Sequence, residues 1–185
     1  MIYRTVDGGT TWDVTYSNRK PGVFFNTMAF AGSSRGVAVS DPLDGRFLLI
    51  LTADGGETWT ELPWENRPTA LGGEAGFAAS GTCLAVHGEA GIWFGTGGPA
   101  ARVHRSLDWG ETWSVTDNPL RSGEASQGVF GLHFASDLEG FAVGGDYRDE
   151  TNLAGTAAIT CDGGASWATV LEAPSGFREC VAPVS

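Results

Sequence analysis

Hydrophobic positions in this chain come in short runs broken by polar residues and glycines, the pattern of a succession of strands. Residues 24–30 alternate apolar and polar, while Phe47-Leu48-Leu49-Ile50-Leu51 is an unbroken apolar run that reads as a buried strand. No stretch predicts a helix longer than one turn. The expected strands begin with residues 2–5 and 12–16, and a polar linker follows at 17–22. Next come 24–30, 36–40, 46–52 and 58–62, with Asp41-Pro42-Leu43-Asp44-Gly45 as the turn before the third. After a Pro-rich polar link, the next set is 75–79, 83–87 with 91–95 nearby, 102–106 and 112–116. A third set is 128–135, 140–144, 155–160 and 166–171, and residues 177–184 read as one more strand.

The third and fourth strands of each set are joined by the same punctuation. Thr52-Ala53-Asp54-Gly55-Gly56-Glu57-Thr58-Trp59 has counterparts at Thr5–Trp12, Ser106–Trp113 and Thr160–Trp167, sharing [Ser/Thr]-x-Asp-x-Gly-x-[Ser/Thr]-Trp. Its aspartates, Asp7, Asp54, Asp108 and Asp162, stand 47, 54 and 54 residues apart. A period near 50 residues points to a propeller or an array. Each copy makes mechanical sense as a hairpin turn. The carboxylate can accept backbone N–H groups just downstream, and glycine supplies positive φ. The hydroxyl residues tie the ends, and Trp12, Trp59, Trp113 or Trp167 starts the next strand with a large apolar surface. A calcium site is the other use of such an aspartate, but it needs several oxygen ligands and each copy fixes one carboxylate.

The pattern resembles the Asp-box, or BNR repeat, of sialidases, sortilin-type receptors and photosystem II assembly factors. The resemblance implies an all-β propeller of four-stranded blades. The expected division is one domain with a partial blade at 1–16, blades at about 23–62, 75–116 and 127–172, and a partial blade at 177–185. On this reading the chain is an incomplete arc of a ring of about seven blades. The segments between the boxes include Ser40-Asp41-Pro42-Leu43-Asp44-Gly45, Gly95-Thr96-Gly97-Gly98, Gly144-Gly145-Asp146-Tyr147 and Gly176-Phe177-Arg178. They look like bacterial photosystem II assembly factor-like propellers, some of which carry only the label "oxidoreductase". That resemblance implies a non-enzymatic binding or assembly scaffold with a protein partner. The alternative, from the wider Asp-box group, is a glycan-active or glycan-binding propeller.

Composition narrows the chemistry. Of 185 residues, 22 are acidic and 11 basic, giving a net charge of −11, and Lys20 is the single lysine. Phosphate-backbone binding needs a basic surface, so nucleic acid is not an expected partner. No apolar run is long enough for a membrane helix. No secretory signal opens the sequence at Met1, and a periplasmic or secreted location is expected only if a segment before it carries one. Cys83, Cys161 and Cys180 read as buried free thiols, with one disulfide as the alternative. His87, His104 and His133 lack paired metal-ligand spacing, so no metal is expected. No Gly-x-Gly-x-x-Gly opens a helix, Gly95–Gly98 matches a phosphate loop in composition only, and no cofactor is expected.

Functional surfaces of repeat folds gather on loops near the axis. The candidate binding residues there are Asp41, Asp44, Glu74, Arg102, Asp146, Tyr147 and Arg178. A sialidase would draw its carboxylates, arginines and tyrosine from this set, although the sialidase arginine motif is missing. The plainer role for each, and the one expected first, is a turn cap or surface ion pair.

Overall fold

The computed structural model describes residues 1–79 and 81–182. It is all-β apart from a single 3-10 turn, Trp64–Asn66. A two-stranded hairpin, β1 (Ile2–Arg4) and β2 (Asp13–Tyr16), precedes three four-stranded antiparallel sheets. The first holds β3 (Phe25–Ala31), β4 (Arg35–Leu43), β5 (Arg46–Thr52) and β6 (Thr60–Glu61). The second holds β7 (Leu84–His87), β8 (Gly91–Thr96), β9 (Arg102–Ser106) and β10 (Ser114–Asp117). The third holds β11 (Gln127–Phe134), β12 (Gly140–Asp146), β13 (Ala157–Thr160) and β14 (Ala168–Thr169). Within each sheet, strands neighbour one another in chain order. The leading strands β3, β7 and β11 touch in succession.

Side-chain alternation explains the stacking. Val37 and Val39 of β4 and Leu49 of β5 enter a core shared with Leu84, Ile92 and Phe94 of the second sheet. Ala38 and Ile50, one residue out of phase, turn the other way and pack with Trp59, Ile2 and Tyr16. Trp93, between Ile92 and Phe94, joins Val129, Leu132 and Phe134 of the third sheet. Central strands therefore have two buried faces, which is why residues 47–51 carry no polar position. Sheets stacked face to face in sequence, leading strands inward, form the blades of a β-propeller.

Several expected elements shift. Strand β4 runs on through Asp41, Pro42 and Leu43, accommodating the proline at a bulge between Val39 and Pro42. The turn shrinks to Asp44 and Gly45, both at positive φ (52° and 81°), the two-residue hairpin geometry. Residues 75–79 are not a strand, and only Ala75 makes a bridge, to Gly97. The first two strands of that sheet are instead β7 and β8, separated by a turn with Gly88 at φ +62. Phe177–Ala182 form no strand, while Pro183 and Val184 lie outside the described residues. The segment straps onto the third sheet, with Arg178 N–H donating to Gly144 (3.1 Å) and Phe177 N–H to Glu150 (3.3 Å). Of the cysteines, Cys83 is buried, and burial pushes its thiol up to about 11. Cys161 and Cys180 are exposed, contrary to expectation, and all three are free thiols.

Candidate binding face

Antiparallel order gives the sheets two distinct ends. The repeated turns join β1 to β2, β5 to β6, β9 to β10 and β13 to β14, all at one end. In each, the leading hydroxyl donates to the aspartate and accepts from a glycine N–H. Thr52 Oγ1 donates to Asp54 Oδ1 at 2.7 Å and accepts from Gly56 N–H at 2.9 Å. Asp54 then accepts Thr58 N–H at 2.9 Å and Thr58 Oγ1 at 2.6 Å. Asp7, Asp108 and Asp162 accept from Thr11, Thr112 and Ser166 in the same way. The bonds from Thr11, first its N–H, hold Asp7 down at about 2. The Thr58 and Ser166 hydroxyls and N–H groups hold Asp54 and Asp162 well below the usual carboxylate range. At Asp108, burial pushes upward, but bonds from Thr112 and Ser106 more than offset it. These carboxylates fix turns. The tryptophans differ: Trp59 is 9% exposed and meets Phe30 edge-on, whereas Trp12 is 58% exposed.

The sequence-derived candidates belong to the opposite end, where the β4–β5, β8–β9 and β12–β13 connections meet the links between sheets. Here the first and third sheets share one solution and the second uses another. In the first, Asp41 Oδ1 accepts from Asn26 Nδ2 (2.7 Å) and from Gly76 N–H (3.2 Å), joining β3 to the next linker. Burial raises its pKa against those two bonds. Asp44 stays exposed in its two-residue turn. In the third, Asp146 accepts from Gln127 Nε2 (2.8 Å) and Arg148 N–H (2.9 Å), and the Gln127 bond chiefly lowers its pKa. Asn26 with Asp41, and Gln127 with Asp146, are the same device: an amide on the leading strand donating to a carboxylate on the second.

The second sheet uses the linker instead. Glu74, 3% exposed, reaches Arg102 and His104 on β9, which share one strand face at i and i+2. Its Oε1 accepts from Arg102 Nε (3.0 Å) and Thr96 Oγ1 (2.5 Å) and meets His104 Nε2 (3.1 Å). Its Oε2 accepts from Arg102 Nη2 (2.5 Å) and Leu71 N–H (2.8 Å). Burial opposes the charge of Glu74, but these donors, His104 foremost, prevail and hold its pKa at about 2. Burial pushes His104 below its ordinary value despite Glu74. A neutral ring beside a carboxylate that can only accept must donate through Nε2–H. Nδ1 is then a buried acceptor with no partner among the described residues. The ring stacks on Phe94 at 4.5 Å. Two of the seven candidates thus satisfy each other inside the protein. His104, Thr96, Asn26 and Gln127 were missed, although the Arg102-x-His104 spacing on a strand could have suggested the first.

Tyr147 lines a cavity of about 450 Å³, and Arg178 stands in the chain between two of its lining residues without itself lining it. It is lined chiefly by Phe77, Phe130, Tyr147, Phe177, Glu150 and Glu179. Phe77 stacks on Phe130 (3.7 Å), while Tyr147 and Phe177 meet Phe130 edge-on (6.2 and 4.7 Å). Arg178 Nη1 donates to Phe177 O (2.7 Å). No group of three or more His, Cys, Asp or Glu that could hold a metal occurs among the described residues.

The glycines at 95–98 have a steric explanation. A Cβ on Gly97 would meet Gln127 O at 2.2 Å, and one on Gly95 would meet Val129 at 2.4 Å. They permit close approach of the third sheet.

The class this architecture defines is the β-propeller, and comparison with solved structures agrees. YCF48 bound to a D1 peptide is similar over 89% of this chain and 46% of that one, with TM-score 0.53 and 20% identity. The GH74 xyloglucanase Xcc1752 from Xanthomonas campestris is similar over 83% of this chain and 24% of that one, with TM-score 0.57 and 18% identity. At these identities the likeness is one of fold. The chain spans less than half the length of either structure. No family model and no curated protein matches it. Among the described residues no helix is long and apolar enough to cross a membrane.

Proposed function

We propose that the chain belongs to a non-enzymatic β-propeller scaffold of the photosystem II assembly factor-like type, binding a segment of another protein at the linker end. In this reading the repeated turns are Asp-boxes and serve as framework. The observation that carries the proposal is the engagement of the candidate acids and arginine. Glu74, buried, holds Arg102 and His104, while Asp41 and Asp146 receive amide donors from the leading strands, so these groups serve the framework of the linker end. The peptide bound to YCF48 supports a protein segment as the kind of partner.

A glycan-active or glycan-binding propeller is the second reading, favoured by Glu150 and Glu179 lining one aromatic cavity. Paired catalytic carboxyls must be held in position by supporting bonds. No hydrogen bond or ion pair anchors either carboxylate among the described residues. The test is selection of a displayed random-peptide library on the full chain, with a parallel assay of xyloglucan and sialoside hydrolysis. Enriched peptides protecting the linker end from hydrogen exchange, without hydrolysis, are expected. Hydrolysis abolished by Glu150→Gln or Glu179→Gln would overturn the proposal.

A further inference from the structure

We infer that the aromatic cavity between the linker ahead of the second sheet, the third sheet and the C-terminal strap receives an arginine or lysine side chain of a bound peptide. This rests on the protein-binding reading above and names the chemistry of its occupant. Four rings converge there: Phe77 comes from the linker, Phe130 from β11, Tyr147 from the end of β12 and Phe177 from the C-terminal strap. Rings attract cations through the negative faces of their π-systems, and apolar walls suit the methylene stem of a long basic side chain. The polar side chains in the lining are two carboxylates, Glu150 and Glu179, and the Tyr147 phenol. Both glutamates are exposed, and neither carboxylate has a hydrogen-bond or ion-pair partner among the described residues.

The neighbouring charges sharpen this choice. Asp149 is paired with Arg121 at 3.0 Å. Arg148 lies over the Tyr147 ring at 5.8 Å, and Arg178 donates to its neighbour's carbonyl. The two glutamates are the carboxylates in this lining left for an incoming cation. The chain already places guanidinium groups on its own rings, as Arg35 does over the half-buried Trp109 at 4.1 Å and Arg46 over the exposed Trp64 at 5.5 Å. A net charge of −11 also favours the approach of a basic segment. A sugar would ask for a fan of fixed donors and acceptors, whereas these carboxylates are unbraced. A cation beside a ring needs charge and a face more than exact direction.

The probes are the tripeptide amides acetyl-Ala-X-Ala, with X as Arg, Lys, Leu or Glu, titrated into the ¹⁵N-labelled full chain. A xyloglucan oligosaccharide serves as a fifth ligand. The Arg and Lys peptides are expected to shift the amide resonances of Tyr147, Glu150 and Phe177 and to bind several-fold more tightly than the Leu peptide. Glu150→Gln with Glu179→Gln should weaken the Arg peptide about fivefold, as should raising the salt from about 20 mM to about 500 mM. Tyr147→Ala should weaken it as well. These side chains are exposed, so an unchanged thermal melt will show that the variants still fold. Equal binding of the Leu peptide, or Arg binding indifferent to both Glu→Gln changes, overturns the inference. If peptides bind elsewhere on the linker end, the inference falls and the protein-binding reading stands. If only the oligosaccharide shifts resonances, both fall.

Discussion

Thr52, Asp54 and Thr58 make, at one end of the first sheet, the bonds that Ser106, Asp108 and Thr112 make 54 residues later. At the other end the sheets share no such formula. The first and third tie an amide to an aspartate across their first two strands, and the second draws in Glu74 from the linker to hold three side chains. The turn closes within eight residues, so its chemistry is local and can be copied with the repeat. The linker end joins residues 30 and 35 positions apart, as His104 with Glu74 and Gly76 with Asp41, so each junction answers to its own neighbours. It is at this variable end that the aromatic cavity lies.

The contrast is most exposed to failure at Glu74. Glu74→Ala leaves Arg102 without its buried counter-ion and should destabilise the chain by about 3–5 kcal/mol. Chemical denaturation reads this directly, and a loss below about 1 kcal/mol would show the network to be dispensable. The pH dependence sharpens the point. Glu74 is held at about 2 in the folded chain against 4.5 for an ordinary glutamate. Its contribution is therefore complete above pH 4.5 and lost as the pH falls toward 2. The folded-state values of the repeated-turn aspartates are also low, so they add to the same acid loss. Glu74→Gln should make the decline of melting temperature across that window shallower, without abolishing it.

A smaller and more selective effect is expected at the turn end. The aspartate bonds are alike in the first two turns, but Trp59 is buried with no partner for its indole N–H among the described residues, whereas Trp12 is exposed and donates to Gly9 O at 3.0 Å. Trp59→Ala should cost about 3 kcal/mol through the cavity it leaves, and Trp12→Ala well under half of that. Equal costs would mean that the tryptophan serves its own turn and not the packing between sheets.

Smallest should be Asp54→Ala. The carboxylate lies at the surface, where water can replace it on the Thr58 N–H and hydroxyl. Melting temperature should fall by less than in either of the preceding variants, and peptide binding per folded molecule should not change. Lost binding in a chain of undiminished stability would move these aspartates from framework to function.

How much could be read beforehand follows the same division. The turns were legible because every partner of Asp54 lies within four residues of it. The sheets were legible because alternation and apolar runs, as at 24–30 and 46–52, are local signals too. Residues 75–79 read as a strand because Phe77 stands in a short apolar run with Ala75, Ala78 and Ala79, yet their backbone runs past Asn26 and Gly97 without a continuous ladder. Glu74, Arg102 and Tyr147 could be named as polar groups near the links. What could not be read was that Glu74 and Arg102 face each other while Tyr147 faces a cavity, since that depends on sheet-to-sheet placement. Glu150 was visible only as the last residue of the charged run 146–150, and Glu179 gave no signal at all, being one acidic residue among 22.

The glycine contact between the second and third sheets carries a mechanical consequence. There the main chains themselves meet: Gly97 bridges Gly128, and Gly98 N–H donates to Gln127 O at 2.8 Å. Between the first two sheets the described cross-links at this end are side-chain ones, Asp41 accepting Gly76 N–H and Thr27 Oγ1 donating to Gly81 O, while the linker's own backbone bonds, at Pro68 and Ala70, run back to the first sheet. A seam of backbone hydrogen bonds loaded in shear must break together, whereas a carboxylate on a rotatable stem can swing away. Pulled from its two ends, the chain should shed its first blade before the last two part. No side chain of any size can be written into the tougher seam without prising it open.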